Sequence, residues 1–190
     1  KVGATVLSRV MQRLPETQRD DVLIGRDAPD DCAMLSVPEG KAMVQSVDYF
    51  RAFIEDTYSF GAIAANHALG DIFAMGAEAQ SALAIATVPY GRERVVEETL
   101  YDVLAGALHI LEPTGAVLAG GHSSEGAELA FGLSVNGLID PDEGRFVVAG
   151  GIDVSTQLPL STPLTAPVGS YAVTPLTTLA TELVHRHGFY

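Results

Sequence analysis

Apolar residues recur at Val6, Leu7, Val10, Met11 and Leu14, a helical face over residues 2–14 that Pro15 ends. After the polar stretch 16–21, the runs Val22-Leu23-Ile24-Gly25 and Cys32-Ala33-Met34-Leu35 flank an acidic segment and read as strand, loop, strand. Pro38-Glu39-Gly40-Lys41 is a turn, and residues 42–47 form the next strand, which delivers Asp48 at its far end. Ile63, Leu69, Ile72, Phe73 and the alanines between them then make a helix apolar on nearly every side, N-capped by Ser59, and such a helix is expected to be buried. Residues 81–88 are a continuous apolar run that Pro89-Tyr90-Gly91 ends quickly, the mark of a buried strand. A second long helix spans 92–111, with Val95, Val96, Leu100, Val103, Leu104, Ala107, Leu108 and Leu111 on one side. Residues 116–119 form a strand that runs into the turn-like Gly120-Gly121-His122-Ser123-Ser124, and 129–139 form another.

Alternating strands and helices predict a layered α/β (α+β) domain over residues 1–140. Beyond Asp140 the character changes. A loop at 140–144, a short strand at 146–149, a Pro/Thr/Ser-rich linker at 155–169 and a short helix within 174–190 make a C-terminal extension, or the start of a truncated second domain. No internal repeat is evident.

Two residues break the apolar pattern: Asp48 at a strand end and Asp71 within the buried helix. A buried carboxylate needs a hydrogen-bonding partner, a cation or a proton. Each can be an ordinary bonded or capping Asp, but their company favours a functional reading. With 24 acidic and 11 basic residues among 190 the net charge is −13, which argues against nucleic acid or an anionic membrane as partner and means that a phosphate ligand needs metal ions as intermediaries. Lys1 and Lys41 are the two lysines, and no Gly-x-x-x-x-Gly-Lys-Ser/Thr string occurs. A single cysteine, Cys32, forms no internal disulfide and is expected to be a small buried residue. With no run long enough to span a membrane, the expected compartment is the cytoplasm. Residue 1 is Lys, so the sequence reads as processed or as the continuation of something longer.

Asp30-Asp31, Asp48 and Asp71 fall where a compact sheet can bring them together. Bare carboxylates about 4 Å apart repel by several kcal/mol at an effective dielectric of about 20, so a cluster calls for cations. Oxygen-only donors favour Mg²⁺ or Ca²⁺, and Mg²⁺ commonly combines one or two carboxylates with substrate phosphate oxygens. Gly120-Gly121-His122-Ser123 offers small residues, a hydroxyl and an imidazole beside such a phosphate chain.

Taken in order, these features resemble the N-terminal, ATP-binding domain of the selenide, water dikinase family. The strings that carry the resemblance are Asp30-Asp31-Cys32-Ala33, Ser46-Val47-Asp48-Tyr49-Phe50, Gly61-Ala62-Ile63-Ala64-Ala65, Gly70-Asp71-Ile72-Phe73-Ala74-Met75-Gly76, Gly120-Gly121-His122-Ser123 and Phe131-Gly132-Leu133-Ser134-Val135-Asn136-Gly137. The resemblance implies the fold shared with aminoimidazole ribonucleotide synthetase and thiamine-monophosphate kinase, a mixed sheet with helices on one face whose sheets pair into a barrel across a homodimer. It implies ATP and selenide as substrates and Mg²⁺ as the metal. Asp31 is implied as a metal ligand, Asp48 and Asp71 as contacts to both metal and ATP, and Asp30 as part of the ATP loop. Gly121, His122 and Ser123 match the segment that touches ATP across the dimer, so a complete site takes two chains. Lys1 matches the lysine that closes the family's Gly-Cys-Gly-x-Lys catalytic loop.

Several positions depart from the family pattern. His67 stands where the family commonly has Asn and is spaced to pair with Asp71 on one helix face, although a purely structural role suffices for it. Glu128 matches an acidic position of relatives, His109 reads as an ordinary helix residue, and His185-Arg186-His187 as an exposed basic helix end. Nothing after Asp140 matches the family's Gly-rich Asp-Val-Thr-Gly-Phe-Gly string. Two other readings stay open: a kinase of the same fold with another acceptor, such as thiamine monophosphate, and a non-catalytic dimerisation or nucleotide-sensing module.

Overall fold

The computed structural model describes residues 1–26, 32–141, 146–148 and 154–156. Asp30, Asp31, the expected linker at 155–169 beyond residue 156, and the expected helix and basic end within 174–190 lie outside them. The elements in chain order are α1 (Ala4–Arg13), β1 (Val22–Ile24), β2 (Met34–Leu35), β3 (Ala42–Arg51), α2 (Thr57–Ala74), β4 (Glu78–Pro89), α3 (Glu93–Leu111), β5 (Val117–Gly126), β6 (Ala130–Ile139), β7 (Phe146–Val148) and β8 (Val154–Thr156).

Four strands form the main sheet in the order β3-β6-β4-β5. β6 pairs antiparallel with both neighbours, whereas β4 and β5 are parallel and joined through α3, the connection that a parallel pair requires. The sheet is therefore mixed, and β3 and β5 are its two edges. β1 and β2 make a separate short antiparallel pair, as do β7 and β8.

α2 and α3 cover one face. Phe60, Leu69, Ile72, Val96, Leu100, Leu108, Phe131, Leu133 and Val135 bury between these helices and the sheet. At about 1.5–3 kcal/mol for each fully buried large apolar side chain, this layer dominates the stability of the domain. The two helices approach closely because glycine faces backbone at their crossing: a Cβ at Gly61 would lie 1.9 Å from the Val103 carbonyl oxygen, and one at Gly106 would lie 2.0 Å from that of Tyr58. Asp56 is the α2 N-cap, its carboxylate accepting from the Ser59 N–H at 2.6 Å. Ser59 was the expected cap, but it lies inside the first turn. Val95, expected on the buried side of α3, is exposed, and so is Cys32.

α1 docks on the outer side of α3 through buried Val2, Val6, Val10 and Leu14. Arg9 pairs with Glu93 and, at 2.7 Å, with Glu97. Arg13 pairs with Glu98 at 3.0 Å and lies 3.7 Å over the Tyr101 ring. His109 is an ordinary helix residue as expected, its ring tilted against Tyr58, and Glu128 pairs with Arg51 at 2.8 Å. No helix among the described residues is long and apolar enough to cross a membrane.

Among the described residues, no helix covers the sheet's second face. Along β3, residues 43, 45, 47, 49 and 51 point to that side and are exposed, while 42, 44, 46, 48 and 50 turn towards the helices. Val47 is 58% exposed there, beside Met43 and Tyr49. Tyr49 spans the face to Thr87 with a 2.7 Å hydroxyl contact, and Thr87 reaches Ser124 at 3.2 Å.

Candidate functional site

The sheet divides the expected site residues into two groups. At the β3 edge, Ser46 and Asp48 share the helix-facing side of the strand, two residues apart, and His67 and Asp71 share one face of α2, one turn apart. The elements meet in two rungs. Ser46 donates its hydroxyl to Asp71 Oδ2 at 2.5 Å, and Asp48 Oδ2 lies 2.9 Å from His67 Nδ1. Adjacent rungs follow the two-residue repeat of the strand, roughly 7 Å along its axis. The Phe50 ring meets His67 edge-on with centroids 5.0 Å apart.

Three expectations change here. Asp71 is exposed, because α2 is buried only where it meets the sheet and α3, and the face bearing His67 and Asp71 looks outward. Asp48 is the seventh of ten strand residues, since pairing with β6 carries β3 on to Arg51 opposite Ala130. His67 faces Asp48 across to the strand, while Asp71 takes the Ser46 hydroxyl. Ser46 was overlooked as a site residue, although its i, i+2 spacing from Asp48 in a strand was enough to place both on one face.

The donor chemistry suits Mg²⁺. Asp48 is 24% exposed and Asp71 is exposed, so both can turn an oxygen to a hydrated ion. Among the described residues no group of three or more His, Cys, Asp or Glu side chains converges on one point. Two carboxylates completed by phosphate oxygens and water are the arrangement Mg²⁺ commonly adopts, whereas zinc wants a tighter cage of nitrogen or sulfur.

The second group lies at the far edge. Gly120-Gly121-His122-Ser123 was expected between a strand and a turn; it is the middle of β5, which stays paired with β4 as far as Gly126 opposite Pro89. The register shift between Ala82 and Leu83 and the absence of side chains at 120 and 121 allow the pairing to continue. Gly121 has φ 149°, and a Cβ there would fall 2.0 Å from the Ala84 carbonyl oxygen. The segment is part of a strand edge, in place of a looped phosphate cradle. His122 is exposed and Ser123 half-buried. Lys1 belongs to this edge as well: it is exposed, and its neighbour Val2 donates its N–H to the Ser123 carbonyl at 3.4 Å.

The two groups stand on one row of the sheet. Asp48 lies opposite Leu133, Leu133 opposite Ala84, and Ala84 opposite Gly121. Three strand spacings separate the ends of that row, about 14 Å.

The family described as AIR synthase related protein, N-terminal domain, matches residues 29–139. A selenide, water dikinase of Nitratidesulfovibrio vulgaris is 39% identical over 175 residues, covering 91% of this chain and 49% of that protein. One from Desulfitobacterium hafniense is 41% identical over 141 residues, 74% of this chain and 41% of that protein. The chain thus spans about half the length of the curated relatives it matches. Among solved structures, the thiamine-monophosphate kinase of Stenotrophomonas maltophilia superposes with a TM-score of 0.57 at 19% identity, covering 74% of this chain and 42% of that one, a likeness of fold.

Proposed function

The chain belongs to the AIR synthase related protein family through its N-terminal domain, and from that premise we propose that it is the ATP-binding portion of a selenide, water dikinase, which makes selenophosphate from ATP, selenide and water with release of phosphate and AMP. The observation that carries this reading is the row across the sheet: a carboxylate pair braced by Ser46 and His67 at one edge, and a glycine edge with Lys1 at the other. Relatives at 39% and 41% identity favour selenide as the acceptor over thiamine monophosphate, whose kinase shares the fold at 19% identity.

A polyphosphate approaching a chain of charge −13 meets repulsion, and Asp48 and Asp71 would add to it. Asp48 and Asp71, with Asp31 as a further ligand, would hold Mg²⁺, which would supply the charge neutralisation that a polyphosphate needs there. Ser46 donates to Asp71, and His67 contacts Asp48 at 2.9 Å, so both carboxylates are tied to a neighbouring side chain. Asp30 would line the ATP loop. Phosphoryl transfer depends mainly on positioning and charge neutralisation, and the Lys1 ammonium is the mobile cation suited to the transferred group.

In this reading the site is shared. The glycine edge of one protomer, with Gly121, His122 and Ser123, meets the ATP held at the carboxylate edge of its partner. The bare sheet face, with exposed Met43, Val47 and Tyr49, supplies the apolar surface for a homodimer whose sheets close into a barrel. In this reading residues 1–140 are the ATP-binding domain, and 141–190 are a C-terminal extension or the start of a truncated second domain.

Calorimetric titration with ATP, with and without Mg²⁺, tests the reading. Mg²⁺-dependent binding that Asp71→Ala weakens about a hundredfold or more supports it, and Mg²⁺-independent binding, or binding that Asp71→Ala leaves unchanged, contradicts it.

A further inference from the structure

Buried polar atoms ordinarily find partners, so two orphans on residues that line one cavity need a physical reason. Thr17 Oγ1 and Arg26 Nη1 are shielded from solvent and make no hydrogen bond. Both residues line a cavity of about 170 Å³ between the segment 17–26 and the start of β5. β5 is an edge strand, so this side of residues 117–119 has no neighbouring strand. Ala119 is also the extra residue of a bulge, since Ala82 pairs with Leu118 and Leu83 with Gly120.

The two arginines of this wall are used differently. Arg19 is spent within the protein: it grips the Asp21 carboxylate at 2.8 and 3.1 Å and donates to the Ala79 and Gly115 carbonyls, each at 3.1 Å. The Asp21 carbonyl in turn accepts from the Ser36 N–H at 2.8 Å, which closes the root of the β1–β2 hairpin. Arg26 donates to the Pro15 carbonyl through Nη2 and, among the described residues, forms an ion pair with no carboxylate. Burial pushes its guanidinium below the ordinary arginine value, and Glu16 and Glu112 oppose that only from a distance. A half-buried guanidinium with an idle donor and no counter-charge is unfavourable in the protein as it stands.

We infer that this cavity is a site for a small inorganic oxyanion of the phosphate class, to whose oxygens Arg26 Nη1 and Thr17 Oγ1 donate after a short turn of each side chain. A guanidinium fork and a hydroxyl are well suited to such an ion. Water alone would fill the space, at roughly 30 Å³ a molecule, but leaves the guanidinium without a counter-charge. Size favours a free ion, because pockets for whole small molecules run from about 300 Å³ upward. Asp20 also lines the cavity, and its exposed carboxylate is screened by solvent. The site lies at the β5 edge, across the sheet from Asp48, and does not depend on the ATP reading.

Calorimetric titration of the 190-residue chain with inorganic phosphate is the test, in EDTA so that no metal ion carries the anion to the carboxylates. One saturable site with a Kd of about 1 mM is expected. Arg26→Gln, which keeps a donor for the Pro15 carbonyl, should weaken it at least tenfold, the scale of losing one member of a charged contact. Thr17→Val, close in shape, should weaken it about threefold to tenfold and guards against an Arg26 variant that does not fold. Each variant removes an unpartnered buried atom, so without phosphate its thermal midpoint should match or exceed that of the wild type. Phosphate stabilises compact chains in general, so the telling quantity is the part of its midpoint shift that a folded variant loses. A folded wild-type chain without a saturable site overturns the proposal and leaves the cavity to water. Binding that both folded variants keep unchanged places the ion elsewhere and overturns it too. AMP carries the same group on a body too large for the cavity and is expected not to compete; competition by AMP overturns the assignment to a free ion.

Discussion

The two edges of the sheet are built on opposite principles. The β3 edge is a side-chain device: hydroxyl, imidazole and two carboxylates meet in two rungs, and the backbone beneath is ordinary strand. The β5 edge is a backbone device, where Gly121 sits at φ 149° against the Ala84 carbonyl with no side chain of its own. One edge owes its chemistry to what its residues carry, the other to what they lack. The carboxylate edge should therefore lose function without losing stability, and the glycine edge should lose both.

Asp71→Ala gives the largest expected effect. With the side chain exposed, its removal leaves the stability within about half a kcal/mol of wild type, whereas Mg²⁺-dependent ATP binding, followed by calorimetry, drops about a hundredfold, the scale of removing one partner from a charged contact. Gly121→Ala inverts the pattern. Its Cβ would overlap the Ala84 carbonyl, so about 2–3 kcal/mol of stability is expected to go, read by calorimetric melting as a fall of several degrees. A Gly121→Ala protein that melts like wild type would break the contrast between the edges.

Acid sharpens it further. The Asp21 carboxyl is depressed, chiefly by the Arg19 hydrogen bonds, below its ordinary value of 3.8. A depressed carboxylate contributes stability that is fully present above its unfolded value and is lost as pH falls through its lower folded one. Hairpin amides should therefore hold their protection down to about pH 4 and lose it below, with a much weaker response in Asp21→Asn. The smallest effect is expected at His67→Asn. Its contact with Asp48 is 47% exposed on the His side, and such pairs contribute about 0.5 kcal/mol or less, so melting and Mg²⁺·ATP affinity should both stay near wild type.

Much of this architecture is legible in hydrophobic periodicity. The 3.6-residue patterns of α1 and α3 and the apolar runs of β4 and β6 locate those elements to within a few residues, because burial on one face is what makes the pattern. Exposure at an element's ends is not so encoded. α2 is apolar almost all round, so nothing in its sequence reveals that the face bearing His67 and Asp71 is left outside the helix pair. The extent of β5 was hidden for another reason: Gly120 and Gly121 resemble loop residues, and only pairing with β4 keeps them extended. The cavity beside Arg26 was invisible because its walls, the segment 17–26 and the start of β5, are remote in sequence. In the candidate site, the quoted strings around Asp48, Asp71 and Gly121 identify the participants, but the strand order β3-β6-β4-β5 is what divides them between two edges.

That division is tested most directly by mixing two defective chains. Asp71→Ala lacks the carboxylate edge, and a variant altered at His122 and Ser123 to alanine lacks the polar groups of the glycine edge. If each ATP site takes one edge from each protomer, a mixed dimer regains one intact site, and an equimolar, freely exchanged mixture should show Mg²⁺-dependent ATP binding at about a quarter of the wild-type number of sites, though neither variant binds alone. A mixture as silent as its components would contradict the shared site and place both groups' roles within a single chain.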